Sequence, residues 1–190
     1  MMAMGGSDMH DIGDGHTHDH DGHAHDHIDA HTHGQDAPAE RWKHDGVRVI
    51  PGDRLDPNTA QTPGMFRQAA VNAARVGAQK IWAGTVAIEP DAKTGVHHHG
   101  ALESVIYVVS GRARMRWGER LEYVAEAGPG DFIFVPPYVP HQEINASNDE
   151  PLHCVLVRSD NEAVVVNLPD VDAAERPETV YWVDPIHKHP

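Results

Sequence analysis

From residue 80 onward the chain advances in short runs of β-branched and aromatic residues: KIWAGTVAIEP, SVIYVVSG, RARMRWG, LEYVAEAGPG, DFIFVPP, LHCVLVRSD and AVVVNL, broken by Gly, Pro, Asn and Asp. That rhythm predicts an all-β antiparallel sandwich or barrel rather than βαβ units. In RARMRWG the alternation is strict. Ala113, Met115 and Trp117 are expected inside, with Arg112, Arg114 and Arg116 on a solvated face. In DFIFVPP both faces are apolar, Phe132 with Phe134 on one and Ile133 with Val135 on the other, so the strand asks for cover on both sides. A homodimer is expected on that ground, together with the apolar run AVVVNL.

Upstream, RWKHDGVRVIPGDRL mixes aromatic, β-branched and turn residues and predicts a short strand and a turn. Residues 64–71 read as a strand followed by a loop, because the alanine-rich MFRQAAVNAARVG shows no clear helix start or stop. A length of 190 residues suits one domain with a sizeable core.

The formal charge of −14 is concentrated at the front. Residues 1–40 contain nine acidic residues and no Lys or Arg, which leaves 20 acids against 15 bases, or −5, for the rest. Nucleic acid is therefore not an expected partner, since nothing gathers enough positive charge to neutralise phosphates. Residues 8–36 are low-complexity His, Asp and Gly, with little to bury against the entropy of ordering, so a disordered tail over 1–40 is expected ahead of a barrel over 41–190. The nine histidines of that tail suit Ni, Zn or Cu. No run approaches the roughly 18 apolar residues of a membrane span, and the N-terminus lacks a secretory pattern, so no membrane partner and a cytoplasmic location are expected. Cys154, the single cysteine, fits a reducing compartment and ordinary packing.

Residues 95–111, GVHHHGALESVIYVVSG, carry the chemistry. A chelating histidine pair on a strand needs residues two apart, so His97 and His99 point together and His98 points away. Glu103 follows, and His141 stands in GDFIFVPPYVPHQEIN. Three neutral imidazoles and a carboxylate on a divalent ion leave one positive charge and, in octahedral geometry, two free positions, as a reactive Fe or Mn centre requires; Ni, Zn or Cu would also bind.

This arrangement resembles the cupin superfamily. Its first motif is met by Gly95, His97, His99, Glu103 and Gly111, and its second by Gly130, Pro136, His141 and Asn145, over roughly residues 80–168. The resemblance implies a double-stranded β-helix, the jelly-roll or cupin barrel, with His97, His99, Glu103 and His141 as metal ligands. Two departures stand out. Tyr138 replaces a motif glycine, so its turn is made either without positive φ or with strain. Seven residues rather than six separate Glu103 from Gly111, and the usual count back from Gly111 reaches Ser104. A bulge that absorbs one residue keeps Glu103 on the metal; without it the site has three histidines only. His153 and Cys154 cannot both face inward. The lining beside the metal is expected from Met115, Trp117, Phe132 or Phe134, a small apolar pocket for an organic ligand held through the metal. Glu143 and Tyr138, flanking His141, are the candidate proton-moving residues, with Glu143 better aimed. The superfamily's range leaves three readings open: an oxygenase of a dicarbonyl or hydroxy-acid-like compound, an oxygen-independent isomerase, lyase or decarboxylase, and a non-catalytic binder of metal and small ligand.

Overall fold

The computed structural model describes residues 46–161 and 164–186. The predicted tail, with its proposed metal-gathering role, lies outside them. Strand β1 (Met65–Val71) is followed by a one-turn helix α1 (Ala73–Val76), then β2 (Trp82–Ile88), β3 (His97–His98), β4 (Ser104–Ser110), β5 (Ala113–Trp117) and β6 (Tyr123–Ala127). The series ends with β7 (Phe132–Val135), β8 (His141–Asn145), β9 (Leu152–Arg158), β10 (Val166–Asn167) and β11 (Glu178–Thr179). Two sheets result, one in the order β1-β2-β9-β4-β7 and one in the order β10-β3-β8-β5-β6-β11. Pairing is antiparallel throughout except between β11 and β6, which run parallel. The all-β jelly-roll reading therefore holds, with that one departure. Among the described residues no helix is long and apolar enough to cross a membrane.

The core lies between the sheets, where Val86, Ile88, Ile106, Val108, Leu152, Cys154 and Leu156 of one meet Ala113, Met115 and Ala127 of the other. The predicted parity of RARMRWG is seen. Ala113 and Met115 are buried and Trp117 packs against the core, while Arg114 pairs with Glu126 on the outside. In DFIFVPP only one face goes in: Val135 is buried and Ile133 packs on the core, while Phe132 and Phe134 are 71% and 57% exposed. These two phenylalanines therefore do not line the interior as the sequence reading had it.

The segment after β1 also differs from the expected loop. Asn72 Oδ1 accepts from the Arg75 N–H at 2.8 Å, and Gly77 closes the turn at φ 70°, its N–H donating to the Ala73 carbonyl. Start and stop signals were thus present in NAARVG, but spaced for a single turn.

Along β9, Leu152, Cys154 and Leu156 face inward and His153 outward. Burial first, then the charge of Glu143, pushes the Cys154 thiol up to about 12. A thiolate-selective reagent should therefore leave the native protein unmodified at neutral pH and label one thiol per chain on unfolding, read by mass spectrometry.

Candidate metal centre

The polypeptide presents four inward side chains from two neighbouring segments. His97, at the start of β3, is the register partner of His141 at the start of β8. Alternation along β8 then puts Glu143 and Asn145 on the same inner face as His141. His99 follows His97 by two residues, and its position is held by the segment leading into β10. The ligand atoms of His97, His99, His141 and Glu143 all lie within 4.8 Å of one another, near the span of one ion with ligands at about 2.0–2.2 Å. The three imidazoles pack at centroid distances of 4.4 to 5.1 Å.

Each ring is oriented by a backbone carbonyl. Nδ1 of His97 lies 2.9 Å from the Gly95 carbonyl, that of His99 2.8 Å from Val164, and that of His141 2.9 Å from Val139. A carbonyl can only accept, so each Nδ1 carries the proton and each Nε2 keeps its lone pair for the cluster. Nε2 of His141 is buried with no hydrogen-bond partner, which is costly unless a further group binds there. The donor set, three outward lone pairs and one carboxylate, fits a divalent metal.

The electrostatics agree. Burial, with Arg158 and the other two rings adding to it, holds His99 down at about 4 against the usual 6.5. Burial likewise lowers His141. Both are neutral at physiological pH, the form a metal needs. Burial alone would raise the Glu143 carboxyl. The charges of His141, Arg67, His97 and Arg158 reverse that and keep it ionised below the ordinary carboxylate range. Between pH 6.5 and 4 the unfolded chain binds a proton that folded His99 refuses, so the metal-free protein should lose stability as pH falls through that window, visible as a falling Tm.

Glu103 is not brought to this cluster. The extra residue is absorbed late, by a bulge between Val108 and Ser110 where β4 pairs with β9. Upstream of it the alternation runs unbroken from Val108 to Ser104, which turns Ser104 inward and leaves Glu103 exposed. Glu103 instead joins the loop after β9: its N–H donates to Ser159 Oγ and its carbonyl accepts from the Ser159 N–H. The carboxylate in the cluster comes from Glu143, which the sequence reading had set down as a proton carrier. Tyr138 stands at φ 60° and is 64% exposed, its ring 6.0 Å from that of His98 on the outer side. The motif turn thus keeps its positive φ with a non-glycine residue in it. Tyr138→Gly should retain full metal content and gain between zero and about 1 kcal/mol, since relief of roughly 1–2 kcal/mol of strain is offset by glycine's entropy; denaturant titration checks it. Gly111 shows the opposite case. At φ 86°, a Cβ there would lie 2.7 Å from the Pro151 carbonyl oxygen.

Beside the cluster opens a cavity of about 270 Å³ lined by His97, His99, Trp82, Leu156 and Val165 together with Thr94, Gln61, Asn167, Arg67 and Arg158. The expected lining is corrected in its residues. Phe132 and Phe134 are outside and Met115 lies in the packed core, where with Glu143 it lines a second, smaller cavity, while β1, β2 and β9 supply Arg67, Trp82 and Arg158 to the larger one.

The cupin domain family matches residues 84–158. Residues 84–158 form a cupin domain. Among solved structures similar to this chain, an oxalate decarboxylase shares 25% identity at a TM-score of 0.50, over 60% of this chain and 31% of that one. This chain thus spans about a third of that protein's length. The polyketide cyclase RemF from Streptomyces resistomycificus shares 21% identity at a TM-score of 0.54, over 66% of this chain and 89% of its own. KdgF from Halomonas sp. shares 18% at 0.50, over 62% and 96%. The last two likenesses bear on the fold alone. No curated protein matches the sequence.

Proposed function

We propose that this cupin is a metal-dependent enzyme acting on a small organic substrate, a dicarbonyl or hydroxy acid chelated to a resident Fe or Mn ion, and that it works as an oxygenase. The observation that carries the reading is a buried cluster of three imidazoles and one carboxylate beside a cavity of small-molecule size. A bound ion supplies Lewis acidity toward the chelated oxygens and, as iron, access to oxygen chemistry.

The protein's own residues do the remaining work. Backbone carbonyls of Gly95, Val139 and Val164 fix the three rings, so the lone pairs converge without further ordering. Thr94 holds the strand that carries Glu143: its N–H donates to the Glu143 carbonyl and its Oγ1 accepts from the Glu143 N–H. Trp82, Leu156 and Val165 limit water around the substrate.

A second reading, oxygen-independent decarboxylation or a related Lewis-acid reaction, is favoured by the likeness to an oxalate decarboxylase. The Bacillus subtilis oxalate decarboxylase holds Mn(II) centres, which makes manganese the first metal to test. Metal analysis, with turnover of dicarbonyl and hydroxy-acid compounds under air and under nitrogen, decides between them. Oxygen consumption matched to substrate loss supports the oxygenase, and equal turnover under nitrogen overturns it in favour of the second reading.

We also propose a homodimer, covered at the outward phenylalanines of β7, a sheet-edge strand. Sedimentation at micromolar concentration should give twice the monomer mass, and a monomer alone would reject it.

A further inference from the structure

The cavity beside the metal cluster holds two guanidinium groups and no carboxylate among its lining residues, in a chain whose net charge is −14. Arg158 ends β9 on the inner face, where its register partners are Trp82 of β2 and Ser104 of β4. Its Nε is buried without a hydrogen-bond partner, and the Oγ of Ser104 across the strand is buried and unpartnered as well. Arg67, on β1, is partly spent: Nη1 donates to Thr62 Oγ1 at 2.8 Å and Nη2 lies 3.5 Å from Met65 Sδ. Gln61 ties the loop that walls this side to β1, accepting from the Arg67 N–H and donating to the Arg67 carbonyl.

Arg67 and Arg158 thus line one cavity, and the charges of both bear on the Glu143 carboxylate. That carboxylate belongs to the metal cluster. With a divalent ion in place its charge is committed there, and the cavity is left with a surplus of positive charge and an unfilled guanidinium face. Planar guanidinium groups with free N–H donors match a carboxylate better than any neutral group.

We infer that the cavity takes a small organic dianion whose second carboxylate, remote from the metal-chelating end, is bound by Arg158 and Arg67. The inference rests on the metal reading above for the chelating end only; the arginine end stands on the cavity itself. It narrows the substrate class from hydroxy or keto acids in general to those carrying a further carboxylate. The cavity's small volume excludes long chains.

The test uses the full chain with one equivalent of Mn(II), the divalent ion that imidazole sites of the tail hold least tightly. Calorimetric titration compares two pairs that differ only by the second carboxylate, malate against lactate and 2-oxoglutarate against pyruvate. In at least one pair the dicarboxylate should bind roughly ten- to a hundredfold more tightly, the range that charged hydrogen bonds supply. Arg158→Gln should abolish that preference, weakening the dicarboxylate far more than the monocarboxylate. Arg67→Gln gives the same readout should Arg158→Gln fail to fold, and Arg158→Lys should keep part of the preference. Equal binding within both pairs, or a preference that survives both arginine-to-glutamine changes, overturns the proposal. Protein that retains no metal but still prefers the dicarboxylate, and loses that preference in Arg158→Gln, upholds the arginine site and overturns the metal reading instead.

Discussion

Glu143→Gln is expected to release the metal, and Glu103→Gln to leave it in place. The two glutamates stand in contrasting settings: the Glu143 oxygen lies in the cluster with three imidazoles, whereas Glu103 is exposed beside Ser159. Glutamine keeps the size of the side chain but removes the charge, so the change isolates electrostatics and ligation from packing. Without the carboxylate, a divalent ion would sit among neutral rings with Arg67 and Arg158 nearby, and its affinity should drop by more than the roughly 10- to 100-fold that loss of an outer-shell partner costs. His97→Ala, His99→Ala and His141→Ala should each do the same. The measurement is Mn(II) retained after dialysis, compared between wild type and variants so that any binding by the tail cancels. Full retention in Glu143→Gln with loss in Glu103→Gln would restore the ligand set that motif spacing suggested.

That contrast also marks where sequence reasoning reaches its limit. The strands were legible because β-branched runs and turn residues alternate along the chain, and the inward pairing of His97 with His99 follows from strand parity alone. The choice between Glu103 and Ser104 was not. Both counts were available, and the outcome depends on where along β4 the bulge falls, which its partner β9 sets. Glu143 was readable as inward from its alternation with His141, yet the expectation of a carboxylate after the first histidine pair drew attention from it. Arg158 closes an apolar strand, where an arginine is ordinarily solvated. Only the neighbours Trp82 and Ser104, far away in sequence, turn that position into a cavity wall. The two faces of DFIFVPP were equally apolar, so the inner one could not be chosen without the register against β4.

Asn145→Ala should be among the most damaging changes outside the metal ligands. The side chain is 2% exposed, and its Nδ2 group donates to the carbonyls of Ile88, Glu89 and Glu150 at 3.1, 3.1 and 2.8 Å. Its Oδ1 accepts from the Ser147 N–H at 2.9 Å. One amide therefore joins the end of β2, the turn into β9 and the end of β8. Alanine removes both hydrogens at once and leaves three carbonyls competing for whatever water can enter, with each buried group left unpaired costing about 1–3 kcal/mol. Partial exposure of two acceptors moderates this, so the expected loss is about 2–4 kcal/mol, or roughly 5–15 °C in Tm for a domain of this size. Asn145→Asp should be worse, because it sets a carboxylate against the same three carbonyls. The consequence reaches the metal, since β8 also carries His141 and Glu143 and loosening its end costs the cluster its alignment. Chemical denaturation of metal-free and Mn(II)-loaded protein measures both effects. A loss below about 0.5 kcal/mol, the range of an ordinary surface change, would mean that the three carbonyls do not depend on this amide and that the end of β8 is fixed by its backbone pairing alone.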